Sequence, residues 1–349
     1  MIDGARHKAL FPADLRPQAH EILRTWAYYT MLKSHLHENT LPWHNIMISG
    51  WCLAEDKTKM SKSKGNIISP VQLVQEFGAD IIRYWASNAR LGADTAYSSD
   101  VMKNGKRLVN KLYNAAKFTS QYFESLPDNI KKQDFTSVKH LIICDIDKYF
   151  LVKLSDLIAE VTSAFESYEY AAAISKLEHF FWGVFCDNYL EIVKTRAYNE
   201  NGLSKEGAQS AHLTLYHGFR ILLKLFAPFV PHITEELYNI LYSSDQSIHA
   251  RSNWPKLQAH FDGFKSEECE ILLNIVELVR KIKAHDNLSI KAEVQYIEAT
   301  QAIDSADLIE DLKNVTSAKE IRFIKNLSDN SQNLSIGDLQ INVAYAEKL

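Results

Sequence analysis

The chain has 349 residues, 46% hydrophobic and 23% charged, with a formal net charge of −4 and a pI near 6.4. That profile fits a globular protein with two or three cores and excludes a polybasic nucleic-acid binder, so any nucleic-acid surface must be a local patch. Cys52, Cys144, Cys186 and Cys269 form no C-x-x-C pair, which excludes a readable zinc site or disulfide framework and predicts a reducing, cytoplasmic setting.

The N-terminus lacks the apolar core of a signal peptide, and no run approaches the ~20 apolar residues that span a bilayer. From Pro17 to Leu36, apolar residues including Ile22, Leu23, Trp26 and Ala27 recur near helical spacing, which predicts a helix opened by Pro17. Pro42 ends it, and "NIMISGWCLA" (45 to 54) reads as a buried strand. The basic stretch "KTKMSKSKGN" (57 to 66) follows directly. Ser69 and Pro70 open a helix, "PVQLVQEFG", that stops at Gly78, and "ADIIRYWAS" continues as a second. Helix, strand, basic loop and helix form an α/β arrangement like the second half of an open nucleotide-binding sheet, where ligands lie beyond the strand carboxyl ends.

After about Asp100 the pattern changes to long amphipathic helices, roughly 100 to 125, 137 to 168, 170 to 198, 206 to 227 and 231 to 243, which predicts a helix bundle. From about Ser266 a helix to His285, the strand-like "EVQYIEAT", a helix near 304 to 314, "EIRFI" and "DLQINVAY" predict a small α+β appendage.

The basic stretch places Lys57, Lys59, Lys62 and Lys64 in ten residues with two serines, a glycine and no acid. Charge alone leaves two readings open. One is a solvated basic loop. The other is a polyphosphate cradle, in which ammonium groups act as point charges while hydroxyl and backbone N–H groups donate to phosphate oxygens. It is not a Walker loop, because G-x-x-x-x-G-K-[ST] is absent.

The string "KMSKS" at Lys59 to Ser63, followed by "KGN", is identical to the signature loop of class I aminoacyl-tRNA synthetases. Its surroundings resemble the valyl-tRNA synthetases. The likeness is carried by "DLRPQAHEILRTWAYYT" (14 to 30), "MISGWCLAEDKTKMSKSKGNIISP" (47 to 70), "FGADIIRYWASNARLGADTAYS" (77 to 98), "FCDNYLEIVKTR" (185 to 196) and "LFAPFVPHITEELYNIL" (225 to 241). Isoleucyl and leucyl enzymes share much of this scaffold, and a stand-alone tRNA-binding module is a further alternative.

The resemblance implies a mainly α, multidomain chain. It comprises part of an α/β, Rossmann-like catalytic domain (1–98), a helix-bundle anticodon-binding domain (99–262) and a small α+β domain (266–349). The implied reaction is activation of valine by ATP, with Mg2+ accompanying the nucleotide, and transfer to tRNA-Val; no protein-bound zinc or other metal is expected.

Lys59, Met60, Ser61, Lys62 and Ser63 are then the ATP-binding loop. Lys62 neutralises charge that develops on the phosphates, Lys59 assists, and the serines shape the loop. Ile22 and Trp26, one helical turn apart, would line the valine pocket; core packing is the alternative for Trp26, and its position in the matching helix favours the pocket.

In the bundle, Lys103, Lys106, Arg107 and Lys111 are candidate tRNA contacts, since Lys103, Arg107 and Lys111 lie four apart on one stripe that can track a phosphate backbone. A solvated helix face explains the same spacing. Arg196, Tyr198, Arg251 and Trp254, near helix ends or loops, are candidates for contact with unpaired bases, and a cap on the bundle is the alternative for Trp254 before Pro255. The H-x-G-H signature of the class occurs nowhere in the sequence, which leads to the expectation of a C-terminal portion that lacks the synthetase's N-terminal half and does not activate valine unaided.

Overall fold

A computed structural model describes residues 4–198, 204–242, 246–250, 253–325, 327 and 334–345. Arg251 therefore lies outside the described residues.

The chain opens with α1 (Gly4–Leu10) and β1 (Ala13–Ala19), a 3₁₀ turn (His20–Ile22), a π-helical stretch (Leu23–Ala27), and α2 (Tyr28–Glu38). Next come β2 (Trp43–Ser49), β3 (Cys52–Leu53), α3 (Pro70–Phe77), α4 (Ala79–Ser87) and β4 (Thr95–Ala96). The helical part holds α5 (Ser99–Phe123), α6 (Asp128–Lys131), α7 (Phe135–Val138), α8 (Asp145–Glu166), α9 (Tyr170–His179), α10 (Leu190–Tyr198), α11 (Lys205–Phe226) and α12 (Pro231–Tyr242). A π-helical stretch, Phe180–Tyr189, joins α9 to α10. The last part holds α13 (Glu267–His285), β5 (Val294–Ala299), α14 (Ala306–Thr316), β6 (Ala318–Phe323), β7 (Leu334–Ile336) and β8 (Leu339–Tyr345).

The helix predicted from Pro17 begins later than expected. Residues 13–19 pair in parallel with β2, in a register that sets Pro17 opposite Met47. Proline's fixed φ suits a helix's first turn, but a residue without an N–H is equally tolerated in a strand with a free edge, and here the strand pairing wins. The predicted strand 45 to 54 is two strands. It breaks at Gly50, where a Cβ would stand 2.3 Å from the Ala93 carbonyl carbon and oxygen. The chain then re-pairs, β3 running parallel to β4. The hairpin strand β7 had no counterpart in the sequence reading.

Residues cluster into two compact units. The first holds Met1–Leu112, Glu160–Lys176 and Phe226–Glu236; the second holds Tyr113–Ala159, Leu177–Leu225 and Leu237–Leu349.

In the first unit, Ile81, Tyr84, Met102 and Leu108 are buried, and Gly105 brings α5 so close to α4 that a Cβ would meet Tyr84 Cδ1 at 2.7 Å. Asp80, 9% exposed, caps α12 by accepting from the backbone N–H groups of His232 (3.0 Å) and Ile233 (2.8 Å). A carboxylate at a helix N-terminus satisfies orphan donors and opposes the positive end of the helix dipole. Asp80→Ala is expected to cost about 1–2 kcal/mol of stability, with Asp80→Asn in between, measured by urea denaturation.

In the second unit, Phe150 stacks on Tyr189 at 4.2 Å and lies against Gly218, where a Cβ would meet its ring at 2.7 Å. The four-stranded sheet has the order β6-β5-β8-β7, with β5 parallel to β6 and β8 antiparallel to β5 and β7. Lys283, 1% exposed, ends α13 by donating to the carbonyls of Ile290, Ala292 and Thr316 at 2.7 to 2.8 Å, so all three ammonium hydrogens are used.

Candidate phosphate loop and nucleic-acid surfaces

The basic loop is built by short-range bonds that the sequence supplies. Ala54 and Thr58 close a turn through Ala54 N–H to Thr58 O (2.9 Å), with Lys57 at φ 62°. Asp56 Oδ1 accepts from both Thr58 N (3.0 Å) and Thr58 Oγ1 (2.7 Å), and these bonds hold its carboxyl below the ordinary range.

Asn66 clamps the other side of the loop. Its Oδ1 accepts from Ser61 N (2.9 Å), and its Nδ2 donates to Thr58 Oγ1 (3.0 Å) and the Lys59 carbonyl (3.3 Å). Ser61 caps a 3₁₀ turn, Lys62–Lys64, and its Oγ lies 3.2 Å from Ser63 Oγ. Gly65 closes that turn at φ 66°, a left-handed conformation that favours glycine. Met60 is half-buried.

The loop thus presents Lys62 and Lys64 outward on a fixed turn. Among the described residues no carboxylate forms an ion pair with Lys62. Lys59 points back instead, its Nζ 3.3 Å from Glu21 Oε2.

Ile22 and Trp26 do not share the ordinary helical face that their spacing suggested. Ile22 ends the 3₁₀ turn and Trp26 lies in the π-helical stretch, so the rotation per residue differs from an α-helix's. Trp26 is not a core residue: it is 47% exposed, with the Arg16 guanidinium carbon 3.8 Å from its ring centroid.

On α5, Lys103, Lys106 and Arg107 are exposed and Lys111 is half-buried. Asp100 pairs with Lys103 at 2.9 Å, which offsets part of the stripe's charge.

Arg196 corrects the expectation of a tRNA contact. Its side chain is 12% exposed and its five N–H donors are consumed internally. Nε donates to Asp311 (3.1 and 3.3 Å), Nη1 to Asp147 Oδ2 (2.9 Å) and the Gly207 carbonyl (2.8 Å), and Nη2 to Asp147 Oδ1 and Asp311 Oδ2 (both 3.1 Å). No donor is left for a base.

The sequence reading named Tyr198 but not the aromatic groove of the second unit to which it belongs. The groove has a volume of about 590 Å³ and is lined by Gln121, Tyr122, Tyr198, Lys205 and His212 among others. Tyr122 stacks on His212 at 5.2 Å and meets Tyr198 edge-on at 5.3 Å. Phe118 abuts both tyrosines, and the Lys194 ammonium lies 5.5 Å from its ring. His212 is fixed by Ser125 Oγ at Nδ1 and the Ala197 carbonyl at Nε2, both 2.8 Å, and burial lowers its pKa. Tyr122 is buried and braces the groove, whereas Tyr198 is exposed, and an exposed ring with nearby ammonium groups is what single-stranded nucleotides stack on. Tyr198 was read from its place near a helix end; Phe118 and Tyr122, four apart on one helix, carried a further signal that spacing alone could have given.

Comparison with known proteins bears on both regions. The family model "tRNA synthetases class I (I, L, M and V)" matches residues 3–98, and "Anticodon-binding domain of tRNA ligase" matches residues 147–298. A valine–tRNA ligase of Rickettsia felis is 57% identical over 322 residues, covering 92% of this chain and 37% of that protein. One of Rickettsia canadensis is 55% identical over 335 residues, covering 96% of this chain and 41% of the relative. The chain therefore spans about two fifths of the length of the curated relatives it matches.

Among solved structures, a LeuRS of Agrobacterium radiobacter in a ternary complex with tRNA aligns over 74% of this chain and 30% of its own, with a TM-score of 0.55 and 22% identity. A methionyl-tRNA synthetase of Mycobacterium tuberculosis in complex with methionyl-adenylate aligns over 68% of this chain and 46% of its own, with a TM-score of 0.51 and 21% identity. These two show the fold alone. With the signature loop, both family models and identity above half to valine–tRNA ligases, the chain belongs to the valyl branch of the class I aminoacyl-tRNA synthetases.

Proposed function

We propose that this chain supplies the ATP-phosphate loop and the anticodon-reading helices of a valine–tRNA ligase. The observation that carries the reading is the clamped turn at Lys59–Ser63, whose exposed Lys62 has no carboxylate partner among the described residues. A fixed turn holds positive charge where phosphate charge grows, and costs no reorganisation when the reaction occurs.

On this reading valine's carboxylate attacks the α-phosphorus of ATP, brought with Mg2+, and pyrophosphate leaves. Lys62 neutralises the charge that collects on the departing phosphates and Lys59 assists, while Ser61 and Ser63 keep the turn's shape. Ile22 and Trp26 line the valine side-chain pocket. Residues 1–98 then belong to the catalytic domain, 99–262 to the anticodon-binding bundle and 266–349 to a small α+β domain. Lys103, Lys106, Arg107 and Lys111 track tRNA-Val phosphates, and the groove at Tyr122, Tyr198 and His212 receives unpaired bases. The setting is the cytoplasm; no described helix is long and apolar enough to cross a membrane.

The test is binding of tRNA-Val transcript to the chain across a salt series, with tRNA-Ile and an anticodon-substituted tRNA-Val as competitors. We expect tRNA-Val to bind at least about tenfold more tightly than either competitor, a gap that survives added salt because base contacts, unlike phosphate contacts, carry sequence information. Equal binding of all three with one steep salt slope would overturn the anticodon reading.

A further inference from the structure

Three side chains converge at the carboxyl end of the parallel pair β1–β2. Glu21 lies two residues beyond β1, Trp51 two residues beyond β2, and Lys59 arrives from the loop. Glu21 Oε2 accepts from Trp51 Nε1 at 2.9 Å and from Lys59 Nζ at 3.3 Å. The Lys59 ammonium also lies 4.4 Å from the Trp51 ring centroid, and the His20 ring packs on that indole at 4.9 Å. One carboxylate oxygen thus orients the indole and the lysine together, and the indole face cradles the lysine.

The two lysines credited with phosphate chemistry therefore stand differently. Lys62 has no carboxylate partner among the described residues to give up to an incoming anion, whereas Lys59 must exchange Glu21 for it. We propose that Glu21 and Trp51 are positioning residues of the phosphate loop: they hold Lys59 over the strand ends, and a polyphosphate takes the lysine over from Glu21.

The inference rests on the ATP-loop reading above and adds to it the residues that place Lys59. The chemistry suits a hold that must be released at each turnover. The side chains of Lys59 and Glu21 are 58% and 46% exposed, so their ion pair is screened and weak, and a polyphosphate carries several charges against one. The indole restricts where the long lysine stem can go, which keeps its ammonium within reach of a ligand at the strand ends. The N–H of Trp51 and the ammonium of Lys59 also hold Glu21's carboxyl below its ordinary range, consistent with a carboxylate charged throughout.

The experiment follows the indole N–H resonances of the six tryptophans in the whole chain, with Trp51 assigned by Trp51→Phe. Without ligand, Lys59→Met and Glu21→Gln are each expected to shift the Trp51 resonance, and Glu55→Gln, which removes a charge nearby but no bond to Lys59, to leave it in place. Inorganic tripolyphosphate with Mg2+ is then titrated. It is expected to move the wild-type Trp51 resonance toward its position in Lys59→Met, and to bind Glu21→Gln about two- to fivefold more tightly than wild type, with a smaller gain in Glu55→Gln.

A Trp51 resonance indifferent to Lys59→Met overturns the proposal. So does tripolyphosphate that binds and leaves Trp51 unmoved. If the ligand-free shifts occur and tripolyphosphate does not bind at all, the phosphate-loop reading itself fails, and the contact is only a surface packing feature.

Discussion

Arg196→Met should lower the unfolding free energy by about 3–5 kcal/mol in urea denaturation followed by circular dichroism, the loss typical of stranding buried charge. Asp147 is 0% and Asp311 1% exposed, and each is bonded twice or more to the guanidinium. Asp147 also accepts from Tyr189 Oη at 2.8 Å and Ser210 Oγ at 2.6 Å, so the cluster ties α8, α10 and α11 to α14.

Methionine fills similar space but leaves both carboxylates without their cation. Arg196→Lys keeps the charge yet offers three donors in place of a five-donor fork, so it should fall between the two. In an Asp311→Asn background the cost of Arg196→Met should shrink by about 1–3 kcal/mol, because one stranded charge is already gone. A loss below about 1 kcal/mol for Arg196→Met would mean that water or rearrangement satisfies the carboxylates, against the burial seen here.

The same residue shows where sequence reading stops. Arg196 sits near a polar connector at a helix end, the ordinary address of a solvent-facing arginine, while its partners lie 49 and 115 residues away in the chain. Nothing in periodicity pairs those positions; only packing of α14 against α10 does.

The phosphate loop was legible for the opposite reason. Its clamps, Asp56 to Thr58 and Asn66 to Ser61, span two and five residues, so the local string carries both the chemistry and the geometry. The hold on Lys59 was not legible, because Glu21 and Trp51 reach it only once β1 and β2 pair. Long helices were read closely, since their apolar faces repeat over many turns. The boundary at Pro17 was misread because the rule for a helix start and the tolerance of an edge strand place the same residue at the same point.

Buried titratable groups of the second unit yield a final expected result, in the acid range. His217 is 5% exposed, its Nε2 has no hydrogen-bond partner among the described residues, and burial pushes its pKa from 6.5 down to about 4. A group whose folded pKa is depressed contributes fully above its unfolded pKa, and that contribution is lost as pH falls from about 6.5 toward 4. The loss is about 3 kcal/mol.

Asp311 works in the other direction. Burial pushes it from 3.8 up to about 6 against the pull of Arg196, so its contribution is present below about 3.8 and lost as pH rises through 6, again by about 3 kcal/mol. Within the window from 4 to 6 the two slopes are opposed and nearly cancel. Removing either group unmasks the other.

His217→Phe keeps an aromatic ring against Phe135 and Tyr216, and it removes a nitrogen that has no partner to lose. Its stability relative to wild type should rise by about 3 kcal/mol between pH 7 and pH 4, while that of Asp311→Asn should fall by a similar amount over the same span. Difference curves of unfolding free energy against pH cancel the groups that do not couple to the substituted one; the His217→Phe curve reads His217, and the Asp311→Asn curve reads Asp311 together with the Arg196 and Asp147 charges it is coupled to. A flat difference curve for His217→Phe would mean that His217 gains a proton in the folded chain as readily as in the unfolded one, and that the pocket between Phe135 and Tyr216 admits water.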